Sequence, residues 1–209
     1  EYTGPHFEVP KGSGKHTIFC NSLWIGGKNN DSIFLAVERY RGNGFDFWSG
    51  PVSDIYDLSY LQKWNRIWKL TTDTIQYHLA HFNDNGYIIP EAILTWPGNG
   101  NVQYGQASKL APFIDQNGNN IYEPALGDAP LIRGDEAIFF IFNDDKFTHT
   151  SSEGFKMQLE FHAMVYAFNN PDSVLQNTVF VHYDIYNRSD RKYDSTYVGI
   201  FNDFDIGDP

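Results

Sequence analysis

KMQLEFHAMVYAF (156–168) and TVFVHYDIYN (178–187) are the two runs on which the fold class turns. Both are rich in β-branched and aromatic residues, which suit a half-buried pleated surface better than a helix. The link between them carries Asn169-Asn170-Pro171-Asp172, and each of these residue types favours a turn for its own steric or hydrogen-bonding reason. Glu136–Phe142 lies before them and Thr196–Asn202 after them, the latter behind a second turn sequence, Asn187-Arg188-Ser189-Asp190. Four consecutive strand-like runs joined by turns predict an antiparallel β-sandwich or a large twisted sheet.

Upstream the pattern loosens. Residues 1–15 are rich in Gly and Pro and read as extended surface chain. Residues 16–25 and 32–40 alternate as two further strands, with Gly26–Asp31 as the hairpin loop between them. In the second, Ile33, Leu35 and Val37 share one face and Phe34, Ala36 and Glu38 the other. Residues 41–60 are irregular, with Phe45-Asp46-Phe47-Trp48-Ser49-Gly50-Pro51 expected to anchor a long loop. One short helix is predicted over 72–83: Thr72 caps it, Asp73 meets its positive end, and Ile75, Leu79 and Phe82 recur at helical spacing. The expectation is a mostly β chain with long loops and one short helix. It reads as a single β-rich module over 1–209, the loop-rich residues 1–110 packing on the sheet-rich residues 111–209. The chain opens at Glu1 without an initiator Met and stops at Pro209 within an acidic motif, which reads as a fragment of a longer protein.

The formal net charge is −11, the wrong sign for a phosphate backbone or an anionic lipid surface, so nucleic acid is excluded as a partner. No run of about 20 apolar residues is present, and membrane insertion by a helix is not expected. Cys20 is the one cysteine, so no disulfide forms within the chain, and its apolar surroundings predict a buried, inert thiol. An exported chain without disulfides needs another way to stiffen its loops, and calcium held by acidic oxygens is one.

The sharpest chemical signal is Asp115-Gln116-Asn117-Gly118-Asn119-Asn120-Ile121-Tyr122-Glu123-Pro124-Ala125-Leu126-Gly127-Asp128. Its opening fits the start of an EF-hand-type Ca2+ loop, in which side-chain oxygens at alternate positions point inward and the sixth position takes a left-handed backbone. Asp115, Asn117, Asn119 and Glu123 supply side-chain oxygens, and Ile121 its carbonyl. Leu126 stands where a carboxylate usually closes the site, and Asp128 is the expected replacement. The competing reading is a polar turn held by Asx hydrogen bonds. A second acidic cluster, with Asp203, Asp205 and Asp208, would need a cation to relieve its repulsion. Asp135 with Asn143-Asp144-Asp145 is a weaker third group.

Enzyme signatures are sparse. His78 and His81 fall on one face of the predicted helix without a recognisable third zinc ligand. His162 and His182 lie near Glu160 and Asp184, and a pair such as His162 with Asp184 would suit a hydrolase. No HExxH, GxSxG, phosphate-binding or dinucleotide-binding motif occurs. Paired carboxylates of a glycoside hydrolase leave no local signature. Trp48, Trp96 and Tyr104 are candidate stacking platforms for glycans.

The order of motifs resembles a family of large secreted proteins of Bacteroidetes-type bacteria, many ending in a type IX secretion sorting domain. The residues that carry the resemblance are Val9–His16, Leu23–Gly27, Asp46–Pro51, Leu94–Gly100, Leu110–Phe113, the Asp115–Asp128 loop, Gly134–Ala137 through Phe142–Asp144, and Asp203–Gly207. In such proteins Asp-Gly commonly stands where this chain has Asn119-Asn120, and further acidic residues follow the last motif. The resemblance implies export, residence at the cell surface or outside the cell, and no established enzyme activity. The resulting expectation is a non-catalytic, calcium-stabilised structural or adhesive module, such as a filament segment, with other copies of itself or other surface components as partners. A carbohydrate-binding module and, further off, a glycoside hydrolase-type enzyme are the alternatives.

Overall fold

The computed structural model describes residues 7–39 and 42–204. In chain order the elements are β1 (Phe7–Glu8), β2 (His16–Asn29), β3 (Ser32–Val37), β4 (Trp48–Ser49), α1 (Leu58–Trp64), β5 (Trp68–Thr71), α2 (Thr72–His81), α3 (Glu91–Leu94), β6 (Phe113–Ile114), β7 (Ala129–Pro130), β8 (Glu136–Asn143), β9 (Leu159–Ala167), α4 (Ser173–Gln176), β10 (Phe180–Asn187) and β11 (Asp194–Phe204). The fold is mostly β, built of antiparallel sheets joined by long loops. All four strand-like runs of the second half are strands, and the expected helix is α2.

Two compact units make up the chain, and each draws on separated stretches of sequence: residues 1–48, 144–159 and 187–209 in the first, 49–143 and 160–186 in the second.

In the first unit β2 is the central strand. It pairs with β11 along one edge and with β1 and β3 along the other, all antiparallel. The hairpin from β2 to β3 is tighter than the sequence suggests. Asn29 pairs with Ser32, so the turn is Asn30-Asp31 alone, with Asn30 at φ 53. Gly26 and Gly27, expected in the loop, lie inside β2 because neighbours crowd them. A Cβ on Gly26 would stand 3.2 Å from Leu35 Cδ1, and one on Gly27 3.2 Å from Thr196 Oγ1. The buried face of β3 is Phe34 and Ala36. Phe34 meets Tyr193 edge-on at 5.3 Å, and the Arg191 guanidinium covers it at 5.5 Å. Cys20 is half-buried in β2.

In the second unit β8 runs between β9 on one side and β4 and β5 on the other, with β10 beyond β9. Its alternation is clean: Ala137, Phe139, Ile141 and Asn143 are buried. Onto that face pack Trp64, Trp68, Leu70, Ile75, Ile93, Trp96, Tyr122 and Met164, and these form the core. Helix α1 was not visible in the alternation. Asp57 caps it by accepting the Tyr60 N–H at 2.8 Å, and it buries Tyr60 and Trp64, one turn apart. The cap of α2 lies one residue earlier than predicted: Thr71 Oγ1 accepts the Thr74 N–H, and Thr72 is the first helical residue. The short ribbon β6–β7, with Phe113 opposite Pro130 and Ile114 opposite Ala129, brings together the two ends of the segment 115–128. No helix among the described residues is long and apolar enough to cross a membrane.

Candidate functional site

The ribbon β6–β7 holds 115–128 as a closed loop in the second unit. Within it the side-chain oxygens at alternate positions turn inward onto backbone N–H groups. Asp115 Oδ1 accepts from Gly118 N at 2.8 Å and its Oδ2 from Asn120 N at 2.8 Å. Asn117 Oδ1 accepts from Asn119 N at 3.0 Å, and Asn119 Oδ1 from Ile121 N at 2.7 Å. The sixth position, Asn120, has φ 61, the left-handed conformation that a tight loop needs there and that Asn tolerates. Glu123 Oε2 takes the Asn119 amide N–H at 2.6 Å, which keeps Glu123 over the same side chains. Lys109 Nζ donates to Asn120 Oδ1 at 3.2 Å.

Asp128 sits differently from a surface ligand. It is fully buried, and both its oxygens accept backbone N–H bonds, Oδ1 from Gln116 at 2.9 Å and Oδ2 from Glu123 at 2.7 Å. It clasps the loop across its base. Its carbonyl oxygen lies 3.1 Å from His78 Nε2, which ties the clasp to α2. Tyr122, next to Glu123, is buried and donates its hydroxyl to Ile93 O at 2.6 Å. One wall of the loop is therefore fixed in the core while residues 116–121 stay exposed.

Among the described residues no three His, Cys, Asp or Glu side chains converge as a metal group. A cation at this loop would rest on amide and carbonyl oxygens together with Asp115 and Glu123, a hard oxygen set of the kind Ca2+ accepts. Asp203 lies in β11 opposite Cys20, and the register slips between Asp203 and Phe204. Asp205 and Asp208 fall outside the described residues. Asp135 accepts the Asn169 N–H at 2.8 Å as a turn residue.

The candidate stacking residues divide by exposure. Trp96 is a core residue at 3% exposure, its indole N–H on Pro112 O at 3.0 Å and its ring 4.8 Å from Phe139. No glycan can reach its face, so the stacking role expected for it is withdrawn. Trp48 is half-buried, edge-on to Phe147 at 5.8 Å. Tyr104, at 37% exposure, keeps an accessible ring, while its carbonyl accepts the Asp54 N–H.

The histidines find their partners locally. His78 is buried between Tyr87 Oη and Asp128 O, whereas His81 is at the surface with Asp84, so the two share no ligand. His162 meets Glu160 at 2.9 Å, and Asp184 meets His182 at 3.0 Å; the pair of His162 with Asp184 is not made.

The first unit holds a buried ionic group that joins Asp46 and Asp144 to His149, a residue no motif announced. His149 Nδ1 lies 2.7 Å from Leu35 O and its Nε2 2.7 Å from Asp144 O. Asp46 Oδ2 and Asp144 Oδ2 stand 3.9 and 3.6 Å from the ring nitrogens. Asp46 is fully buried and accepts N–H bonds from Val37, Ser151 and Ser152. Asp144 accepts from Met157 and Leu159 at 2.6 Å each. Burial pushes the Asp144 carboxyl up from 3.8 to about 6, against the opposing pull of those two N–H groups and of His149. A carboxyl raised in the folded state stabilises the fold fully below its unfolded value, and that contribution is lost as pH rises through the folded value. The Asp144 contribution is thus expected to fade between about pH 4 and pH 6. A carbon NMR titration checks it: the Asp144 carboxyl resonance should move near pH 6, and a midpoint at the ordinary aspartate value would contradict the assignment.

No family model matches the chain, and the searches of curated proteins and of solved structures give no significant match.

Proposed function

We propose that this chain is a non-catalytic module of an exported surface protein, stiffened by a Ca2+ ion at the Asp115–Asp128 loop. The observation that carries the reading is the alternation in that loop. Asp115, Asn117 and Asn119 each accept backbone N–H bonds and Asn120 after them is left-handed, which curls the loop and leaves oxygen-bearing side chains at alternate positions, the pattern a Ca2+ loop needs. Asp115, Asn117, Asn119 and Glu123 would hold the ion through side chains and Ile121 through its carbonyl. Asp128 contributes by clasping the loop ends rather than by facing solvent. Export and a surface location rest on the family resemblance, and they suit a chain of net charge −11. The role that follows is structural or adhesive, toward other copies or other surface components. The glycan-binding reading keeps Tyr104 and the half-buried Trp48 but loses Trp96 to the core.

Thermal melting in Ca2+ and in a chelator tests the proposal. At a hundredfold excess over Kd a bound ion adds about 2.7 kcal/mol, which for a chain of this size raises Tm by roughly 5–10 °C. Mg2+, which is smaller and demands octahedral geometry, should give little of this shift. Superimposable melts in Ca2+ and chelator would return the loop to a turn held by Asx hydrogen bonds alone.

A further inference from the structure

Strand β11 leaves one edge of the first unit's sheet open. It pairs with β2 on one side, and no strand among the described residues pairs with its other side. Open edges are ordinarily blunted, because a row of unpaired N–H and C=O groups is a template for another chain. Strand β10, at the end of the second unit's sheet, follows that rule: His182 and Asp184, 3.0 Å apart, stand in its middle. The middle of β11 does not. Thr196–Asn202 (TYVGIFN) holds no charge and no Pro, and its register with β2 runs unbroken from Tyr197 to Asp203.

The strand is also uncovered on both faces. Val198 and Ile200 stand opposite Ile25 and Leu23 in the register and share their face. Ile25 and Leu23 are buried, whereas Val198 and Ile200 remain 55% and 48% exposed. On the other face Tyr197 is 76% exposed, and Phe201 stacks on Trp24 at 5.7 Å. The apolar faces of this sheet therefore run out to the open edge without cover.

We propose that β11 pairs antiparallel with β11 of a second copy of this chain, joining two sheets into one across a twofold axis. The strand matches itself about Gly199. A twofold axis through such a pair keeps each face on its own side, so even-numbered residues meet even-numbered ones and the axis passes through a residue. Gly199 is the centre of Thr196–Asn202. An axis there sets Val198 against the partner's Ile200 and Tyr197 against the partner's Phe201, each twice, and cross-strand pairs of this kind stabilise a sheet. Asp203 falls opposite the partner's Ser195, so the flanking carboxylates do not meet head-on. Moving the axis by one residue breaks both apolar matches. Each chain carries −11, and the uncharged edge is where two copies approach at least electrostatic cost. A single strand pair buries less than the roughly 1,200–2,000 Å2 of a standard interface, which makes this a weak dimer. It is a contact that a structural or adhesive module can use, and it does not depend on the Ca2+ loop, which lies in the other unit.

Sedimentation equilibrium of the unmodified chain in chelator should show a monomer–dimer equilibrium that stops at the dimer, because the pairing uses up the edge. Val198→Lys places on that edge the residue natural edges use against pairing, and it should sediment as a monomer at the same concentrations. A single thiol in a Cys20→Ser background reads the register. A Cβ at Gly199 would lie 3.8 Å from Trp24 Cβ, an ordinary contact, so Gly199→Cys is accommodated. On the axis it meets its own copy across the roughly 4.5–5.5 Å between directly opposed Cα atoms, within reach of a disulfide. Tyr197→Cys stands four residues along the strand from its copy, about 13 Å away and out of reach. Mild oxidation should convert Gly199→Cys to a covalent dimer and leave Tyr197→Cys monomeric. An unmodified chain that stays monomeric to about 1 mM would overturn the proposal and leave the edge to a strand of another protein. So would Val198→Lys dimerising as well as its parent, or Tyr197→Cys cross-linking as fast as Gly199→Cys.

Discussion

Replacing His149 with leucine is expected to destabilise the first unit by about 4 kcal/mol, most of the margin of a marginally stable fold. Leucine is close to the imidazole in bulk, so the loss comes from charge and hydrogen bonding rather than from a void. Both ring nitrogens face carbonyl oxygens at 2.7 Å, and the two bonds form together only when each nitrogen carries hydrogen. Leucine leaves Leu35 O and Asp144 O without donors and leaves the Asp46 and Asp144 carboxylates 3.9 and 3.6 Å from an apolar side chain. Removing one member of a buried ionic group costs more than the group contributed, because its partners stay buried. The Trp48 indole lies 6.0 Å from His149 and reports the event locally. Urea denaturation followed at that indole should show a lower midpoint. A variant within about 0.5 kcal/mol of the parent would mean that the network is an exposed ion pair in effect.

Trp96→Ala should cost about 3–5 kcal/mol in the second unit. The substitution opens a cavity against Phe139 and strands Pro112 O, which accepts the indole N–H at 3.0 Å. The same variant separates two roles for this residue. A solvent-facing stacking platform would lose glycan affinity and keep its stability within about 0.5 kcal/mol. A core residue loses stability first. Denaturation of the variant beside Tyr104→Ala, whose ring is accessible, distinguishes them: only the tryptophan substitution should move the midpoint strongly.

What the sequence made legible was local. Alternation in Glu136–Phe142 and the turn residues at Asn169–Asp172 and Asn187–Asp190 located β8 to β11, because period-two burial is written directly into neighbouring residues. The left-handed Asn120 also followed from spacing alone. Pairing across the chain was not legible. Gly26 and Gly27 read as loop residues, and their need for space arises from β3 and β11, far away in sequence. Asp46, Asp144 and His149 meet only because the segments after β3 and after β8 enter the same unit. Asp128 was expected to face a cation, whereas its carboxylate engages two backbone N–H groups and is fully buried. Acidity alone does not distinguish a ligand from a clasp. For α1 the signal is a capping Asp57 followed by Tyr60 and Trp64 at helical spacing.

Calorimetric titration of Ca2+ into the chain and into Asp115→Ala addresses the central claim most directly. Asp115 is the right residue to remove because its two oxygens organise Gly118 and Asn120 and open the donor series. The account predicts that the parent binds one more ion than the variant, with the difference saturable and insensitive to Mg2+. Equal binding by the two proteins, or no heat from either, would contradict it.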